Sequence, residues 1–201
     1  GGTEDFALRP DGKSFFVSAP NFRERTKNGG LFLVDAESME VRDVTPELPH
    51  LLRPHGIDVF AQDGKERLFA VNHRTGADGE PVDSVEIFDV DESGSLQYVK
   101  SVVHPTLVSP NDVSALGMDA FVATNDHANQ EGIARMMEDY LRLATGNIVQ
   151  CEGDQCRVIY EGLTYPNGIT THGDKVLVAE TTGRTLNILK RSGTVLELES
   201  E

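Results

Sequence analysis

The chain is short of basic residues, of long apolar segments and of cysteine, and each shortage narrows its possible functions. Its 201 residues include 18 Lys and Arg against 33 Asp and Glu, a formal net charge of −15. Nucleic-acid binding depends on clustered cations, so we exclude nucleic acid as a partner, whereas the acidity is compatible with divalent cations. No apolar run approaches the roughly 18 to 20 residues that a membrane span requires. Hydrophobic residues still make up 38% of the chain, enough for a folded core.

Only two cysteines are present, Cys151 and Cys156, and the Gly153-Asp154 pair between them predicts a tight turn. Two cysteines are too few for a structural zinc site. A hairpin turn would bring the two strands close enough for a disulfide, which we favour over free thiols. A disulfide in turn predicts a secreted protein or another oxidising compartment.

Four similar junctions recur along the chain, each a turn followed by a short apolar strand. Their polar marks, Glu4, His55, Asn111 and Asn167, are spaced by 51 to 56 residues. A repeat of this length, filled with short strands and turns, predicts a β-propeller of four-stranded antiparallel blades. Strand periodicity alone also allows a β-sandwich, but the repeat favours the propeller. The predicted blades cover residues 3–50, 55–104, 111–162 and 167–200.

One helical pattern interrupts the third blade. Apolar residues between 131 and 144 recur with a 3.6-residue period and predict a helix inserted between the second and third strands. Four blades rarely close a ring of catalytic type, so we expect residues 1–201 to form a single, incomplete propeller domain. In the second blade the third strand is predicted to begin at Ser84.

The junctions supply oxygen ligands for a metal. The first strand of each propeller blade lines the central axis, so the polar residues that precede it should gather at one end of that axis. Carboxylate and amide oxygens are the ligands that Ca²⁺ prefers, and a Cys- and His-rich set typical of zinc is absent. The candidate ligands are Glu4, Asp5, Asn111, Asp112 and Asn167.

Histidines accompany these ligands. His55 begins the first strand of the second blade and His73 ends the second strand; the strands are antiparallel, so the rings can be neighbours and relay a proton near neutral pH. Asp126 and His127 hold the matching place in the third blade, where they either support the site from behind or cap the strand. The remaining histidines are assigned to the surface or to turns: His50, His104 and His172.

Taken together, these residues resemble the paraoxonase/arylesterase family of calcium-dependent lactonases, which are six-bladed β-propellers. The matching stretches keep their order along essentially the whole chain. They are Gly2-Thr3-Glu4-Asp5, Pro54-His55-Gly56-Ile57, Val71-Asn72-His73, Pro110-Asn111-Asp112-Val113, Thr124-Asn125-Asp126-His127, Pro166-Asn167-Gly168-Ile169 and Val178-Ala179-Glu180.

The resemblance implies two calcium sites and a histidine dyad. The matches to the catalytic calcium ligands are Glu4, Asn111 and Asn167. The matches to the buried structural calcium ligands are Asp5, the backbone carbonyl of Ile57, and Asp112. His55 and His73 match the pair proposed to activate water. The family takes further ligands from an Asp-Asn pair in the following blade, beyond this sequence, so an isolated chain of this length is expected to lack part of the site and its activity.

The activity implied is that of a carboxylic ester hydrolase acting on small lactones and aryl esters, with Ca²⁺ polarising the carbonyl and the histidine pair activating water. No Gly-x-Ser-x-Gly nucleophile motif is present. Two alternatives stay open: a sugar-lactone hydrolase or strictosidine synthase-like enzyme on the same fold, and a non-catalytic propeller stabilised by calcium. The sequence leaves the oligomeric state undetermined.

The helix predicted at 131–144 stands where the family has an amphipathic helix linked to membrane or lipoprotein attachment. In this chain its acidic residues and short apolar face argue against membrane attachment. We expect it to act as a lid or rim over the substrate pocket.

Overall fold

Short strands separated by tight turns make up most of the computed structural model, which describes residues 2–21, 24, 27–76, 79–193 and 195–200. Within these ranges the strands form four sheets, each of four antiparallel strands in sequence order. Two sheets lie in an N-terminal unit (Gly1–Val103) and two in a C-terminal unit (His104–Glu201). The predicted fold class, all-β with four-stranded antiparallel propeller blades and one inserted helix, is confirmed. That residues 1–201 form one incomplete domain stays a prediction.

The N-terminal unit holds the first two blades. Blade 1 consists of β1 (Asp5–Leu8), β2 (Ser14–Ala19), β3 (Gly30–Asp35) and β4 (Val41–Asp43). Blade 2 consists of β5 (Pro54–Gln62), β6 (Lys65–Thr75), β7 (Pro81–Val90) and β8 (Leu96–Val102). Every second residue of β2 is buried, as the two-residue period of a strand requires. The buried faces share one apolar core of Ala7, Phe16, Leu31, Val44, Leu52, Ile57, Leu68, Ala70 and Phe88.

Turn chemistry explains why these strands fold back so tightly. The two-residue loop Asp63-Gly64 joins β5 to β6, and both residues have positive φ, 52° and 73°. Asp-Gly is a preferred pair for this hairpin because Asp tolerates the left-handed region and Gly enters it without a steric penalty. Residues 62–65 therefore form a tight hairpin turn.

The C-terminal unit holds the other two blades. Blade 3 consists of β9 (Pro110–Gly117), β10 (Ala120–Asn125), β11 (Gly146–Glu152) and β12 (Gln155–Leu163). Blade 4 consists of β13 (Pro166–His172), β14 (Lys175–Glu180), β15 (Thr185–Ser192) and β16 (Val195–Ser200). Their core contains Val122, Ile148, Leu163, Ile169, Val176, Val178, Leu189 and Leu196. Cys151 and Cys156 lie opposite each other in β11 and β12 and form a disulfide, which confirms the predicted bridge.

Helix α1 (Gly132–Leu141) lies between β10 and β11, where the helical pattern predicts it. It ends at Arg142, which adopts a left-handed conformation with φ of 51°. Its apolar side chains face outward: Ile133 is 80% exposed and Tyr140 85% exposed, whereas Glu138 is buried. No helix in the described part of the chain is long and apolar enough to cross a membrane. The lid function of α1 stays a prediction.

Candidate functional site

The start of β5, where His55 lies, is held from both neighbouring strands. From blade 1, the Ser18 hydroxyl donates to the His55 carbonyl oxygen at 2.6 Å and accepts the Asp5 N–H at 3.1 Å. From β6, the Asn72 side-chain oxygen accepts the N–H of Arg53 at 2.7 Å. These hydrogen bonds fix the backbone on either side of Pro54, independently of the contacts that the His55 side chain makes.

A buried carboxylate binds Asn72, the residue that holds the start of β5 from β6. Glu86 is fully buried in β7, and its Oε1 accepts hydrogen bonds from Asn72 Nδ2 at 2.9 Å and from the Ser84 hydroxyl at 2.7 Å. His50 Nε2 lies 3.1 Å from the same oxygen. A buried carboxylate requires several such donors to offset its lost hydration. His50 lies in a bend, in keeping with its assignment to the surface or a turn, but the sequence did not predict its contact with Glu86. The clue to that contact was a Glu inside the apolar strand Ser84–Val90.

The histidine pair His55 and His73 lies at the start of β5, beside these hydrogen bonds. The rings of His55 and His73 are 5.3 Å apart between centroids and 76° apart in plane, an edge-to-face arrangement. His55 Nε2 lies 2.9 Å from Glu4 Oε1, and His73 Nδ1 lies 2.7 Å from Asp83 Oδ1. The side chains of His55 and His73 are 16% and 32% exposed. The structure thus brings Glu4, His55 and His73 together near the start of β5 and places Asp83 beside His73, a residue that the sequence did not point to.

The omission of Asp83 has a local cause. The sequence predicts that this strand starts at Ser84, but β7 begins at Pro81 and pairs His73 directly with Asp83. Residues directly opposite in an antiparallel pair point to the same face, which is why the two side chains meet. An Asp just before an apolar strand is typical of a turn, so only the register of β6 and β7 could have revealed that Asp83 contacts His73.

The predicted ligands of the structural calcium form the same backbone bridge in each unit. In the N-terminal unit, Asp5 Oδ2 accepts the N–H of Ile57 at 2.8 Å. In the C-terminal unit, Asp112 Oδ2 accepts the N–H of Ile169, also at 2.8 Å. A carboxylate oxygen has two lone pairs, so a bond to an amide leaves one for a cation. The donor chemistry of both aspartates fits an oxygen-preferring ion such as Ca²⁺.

Asn111 joins a second network, which lies in blade 3. Its Nδ2 donates to Asp126 Oδ2 at 3.2 Å. Asp126 Oδ1 accepts from the Ser109 hydroxyl at 2.5 Å and lies 2.7 Å from His127 Nδ1. Asp126 and His127 are both buried, so the two residues predicted to support the site lie directly behind Asn111.

Charge and hydrogen bonding keep Asp126 ionised. Burial raises the pKa of this carboxyl, but the hydrogen bonds from Ser109 and His127 and the positive charges of His127 and Arg135 outweigh it. The pKa of Asp126 therefore lies below its ordinary value of 3.8. The ionised carboxylate can accept from Asn111 and Ser109 at once, which fixes the Asn111 side chain.

Helix α1 closes the far side of this network. His127 Nε2 lies 2.8 Å from Asp139 Oδ1, so each ring nitrogen of His127 faces a carboxylate oxygen. Arg135 Nη1 donates to the Ser109 hydroxyl at 3.1 Å. The buried Glu138 accepts from the Ala128 N–H at 3.2 Å. The helix is therefore attached to blade 3 through its polar side.

Asn167, the last predicted ligand, is exposed at the start of β13. The loop before it is tied to β14, because Glu180 accepts the N–H of Thr164 and the side-chain amide of Asn187.

Three of the six predicted calcium ligands lie in each unit. Within the described residues no group of three or more His, Cys, Asp or Glu side chains could hold a metal ion. The predicted sets depend on amide and carbonyl oxygens, which such a group does not include.

Comparison with solved structures shows the fold. The chain is similar to one in a nidogen/laminin complex, with a TM-score of 0.62 and 13% identity over 100% of this chain and 63% of the other. It is also similar to regucalcin from Agrobacterium tumefaciens, described as a calcium-binding protein, with a TM-score of 0.53 and 14% identity over 99% of this chain and 57% of the other. At these identities the likeness concerns the fold alone.

Comparison of sequences shows the family. The chain is 31% identical over 204 residues to serum paraoxonase/arylesterase 2 of Canis lupus familiaris and 30% identical over 206 residues to serum paraoxonase/arylesterase 1 of Mus musculus. Each match covers 94% of this chain and 56% of the relative, so the chain spans about half the length of these relatives. The family model described as Arylesterase matches residues 2–198. The chain therefore belongs to the arylesterase family.

Proposed function

We propose that the chain acts in the calcium-dependent hydrolysis of lactones and aryl esters, with His55 and His73 activating water. The observation that carries the proposal is the histidine pair itself: two partly exposed rings 5.3 Å apart, each in contact with a carboxylate. Membership of the arylesterase family supports the same reaction class. Relatives are named arylesterases, and one from Homo sapiens is named a lactonase.

The reaction begins with a water molecule at the histidine pair. One imidazole takes a proton from the water as its oxygen bonds to the carbonyl carbon, and the second ring shares the positive charge. Glu4 and Asp83, at 2.9 and 2.7 Å from the rings, stabilise that charge. The tetrahedral oxyanion then expels the alkoxide, which takes the proton back. The products are an acid and an alcohol, or a hydroxy acid from a lactone, and no covalent enzyme intermediate is needed.

Calcium is part of the proposal through the ligands predicted from the sequence. Glu4, Asn111 and Asn167 are proposed for the catalytic ion, and Asp5, the Ile57 carbonyl and Asp112 for the structural ion. When bound, Ca²⁺ polarises the carbonyl and stabilises the oxyanion. The protein's own contribution is to orient these oxygens: Asp5 and Asp112 are each fixed by a backbone amide, and Asn111 by Asp126.

We also propose an oxidising compartment for the chain. The Cys151–Cys156 disulfide supports it, because such bonds persist mainly in secreted proteins. The relatives named serum enzymes agree with it. The proposed partner is a small lactone or ester, and the net charge of −15 argues against nucleic acid.

The test is made on this chain extended by the blade that follows it in the family, and it measures turnover of an aryl ester, aliphatic lactones and sugar lactones in Ca²⁺ and after chelation, with His55→Gln alongside. We expect the aryl ester and aliphatic lactones to be hydrolysed in Ca²⁺ only, and His55→Gln to lower kcat/KM by about 10²- to 10⁴-fold. The matched control is His172→Gln, since His172 is an exposed histidine at the end of β13, and it should leave kcat/KM unchanged. Turnover of sugar lactones alone would favour the sugar-lactone hydrolase. No turnover, with calcium still raising the melting temperature, would favour a non-catalytic propeller.

A further inference from the structure

We infer that Asp83 is a positioning residue of the histidine pair, which fixes the proton of His73 on Nδ1 and makes His73 the ring that holds the positive charge. The inference rests on the proposed function, because it assigns different roles to the two rings of that site. It starts from the register of β6 and β7, which places Asp83 directly opposite His73.

The contact is short and the carboxylate is the more buried partner. His73 Nδ1 and Asp83 Oδ1 are 2.7 Å apart, and the side chain of Asp83 is 9% exposed against 32% for His73. A carboxylate oxygen shielded from water gains more from an N–H donor than an exposed one, because water competes less for it. The bond therefore holds the ring from its inner side and leaves the outer side toward the solvent.

The contact also determines the tautomer. An ionised carboxylate can only accept, so the nitrogen facing it must carry the proton. For His73 that nitrogen is Nδ1, and the neutral ring then has its lone pair on Nε2. His55 is bound the other way, because its Nε2 faces Glu4 Oε1 at 2.9 Å. The two rings thus use different nitrogens for their carboxylates.

The two carboxylates differ in a second respect. Glu4 is 29% exposed and is a proposed calcium ligand, so its oxygens have a second partner when the ion is bound. Asp83 is not among the proposed ligands, and its bond to His73 is independent of the metal. The ion therefore does not compete for the oxygen that binds His73, and a carboxylate behind an imidazole stabilises the imidazolium that forms when the ring takes a proton. This assigns to His73 the charge in the transition state.

The first test needs no substrate and no metal. In the 201-residue chain labelled with ¹⁵N-histidine, the chemical shifts of the two ring nitrogens report which one carries the proton. We expect His73 to be protonated on Nδ1 in the wild type and in Asp83→Glu. In Asp83→Asn the tautomer should become mixed, because an amide can donate as well as accept. A wild-type His73 protonated on Nε2 would overturn the inference, whether or not any variant folds.

The second test uses turnover by the chain extended by the following blade, with Asp89→Asn as the matched control. Asp89 lies in the same strand and is paired with Arg67 at 2.7 Å, away from the histidines. We expect Asp83→Asn to lower kcat by about 10- to 100-fold with little change in KM, Asp83→Glu to recover part of it, and Asp89→Asn to leave it unchanged. Equal kcat in Asp83→Asn and wild type would overturn the inference. No ester turnover by the wild type would instead contradict the proposed function, while the tautomer result would stand on its own.

Discussion

The two units of the chain hold their histidines in contrasting ways. In the N-terminal unit, His55 and His73 are partly exposed, and each has a ring nitrogen within 3 Å of a carboxylate oxygen. In the C-terminal unit, His127 is 3% exposed and has a carboxylate at both ring nitrogens. A ring with both nitrogens bonded cannot exchange a proton without losing a contact. The partly exposed pair is therefore the one we propose for proton transfer, whereas the buried His127 joins blade 3 to α1.

The largest effect should come from removing a histidine of the N-terminal pair. His73→Gln removes the ring we propose to hold the charge, so kcat/KM for an aryl ester should fall by about 10²- to 10⁴-fold. Its partial exposure means that the free energy of unfolding should change little. Steady-state kinetics and urea unfolding of the same preparation check both statements. A variant that loses stability but keeps turnover would reverse the roles assigned to the two units.

The matching change in the C-terminal unit should act on stability. His127→Gln removes the ring that lies 2.7 Å from the buried Asp126 carboxylate, and leaving a buried polar group without its hydrogen-bond partner costs about 1 to 3 kcal/mol. Urea unfolding measures the loss, and hydrogen exchange of the α1 amides should show that the helix opens with it. Unchanged protection in α1 would mean that the bond from His127 to Asp139 does not hold the helix.

The backbone bridges formed by Asp5 and Asp112 predict a property that the two units share, namely the stability lost when the bridge is removed. Each carboxylate accepts a backbone N–H at 2.8 Å, so Asp5→Ala and Asp112→Ala should each lower the free energy of unfolding by about 1.5 to 3 kcal/mol in chelator. Unfolding by urea checks the two values side by side. A large loss for only one variant would show that the bridges, although alike in geometry, are not alike in energy.

The lowered pKa of Asp126 predicts acid sensitivity on the C-terminal side. Because the folded state lowers this pKa below 3.8, the stabilisation is complete above that pH and is lost as the pH falls through the folded-state pKa. Asp126→Asn removes this contribution, so the stability of the variant should fall less steeply below pH 3.8 than that of the wild type. Acid unfolding in chelator, followed by circular dichroism, compares the slopes. Parallel slopes would exclude Asp126 as a source of the acid sensitivity.

The smallest effect should come from the outer face of α1. Tyr140 is 85% exposed, so Tyr140→Ser should change the free energy of unfolding by no more than about 0.5 kcal/mol. Glu138→Ala is the contrasting variant, since it leaves the Ala128 N–H and the Asn129 amide without their acceptor and should cost about 1 to 3 kcal/mol. A larger loss for Tyr140→Ser than for Glu138→Ala would mean that the helix is attached through its apolar face.

The sequence predicts the blades because their determinants are local. Asp63-Gly64 specifies a hairpin from within two residues, and the apolar run at positions 15–17 marks β2 within six consecutive letters. The first-strand residues were predictable for a related reason. The repeat places Glu4, His55 and Asn111 at equivalent positions, so their spacing carries the information that a single motif lacks.

The remaining features depend on distant pairings that the sequence does not reveal. His50 reaches a carboxylate 36 residues away, and Asp83 meets His73 only through the register of β6 and β7. The orientation of α1 departs from expectation in another way. An apolar stripe usually marks the buried side of a helix, but here the buried residue is Glu138, and its partners, Ala128 and Asn129, lie outside the periodic segment.

The bridges between blades also affect how the chain can be synthesised. The bond from Asp5 to Ile57 cannot form until 52 further residues have been synthesised, and the bond from Asp112 to Ile169 requires 57 further residues. At about 5 to 20 residues per second, the ribosome needs roughly 3 to 10 seconds to supply each partner. During that interval the core face of blade 1, with Phe16 and Leu31, has no second sheet to cover it, and its strand edges can pair with other chains. The speed of translation between the two blades should therefore influence the yield of folded protein, and slower translation there should increase aggregation.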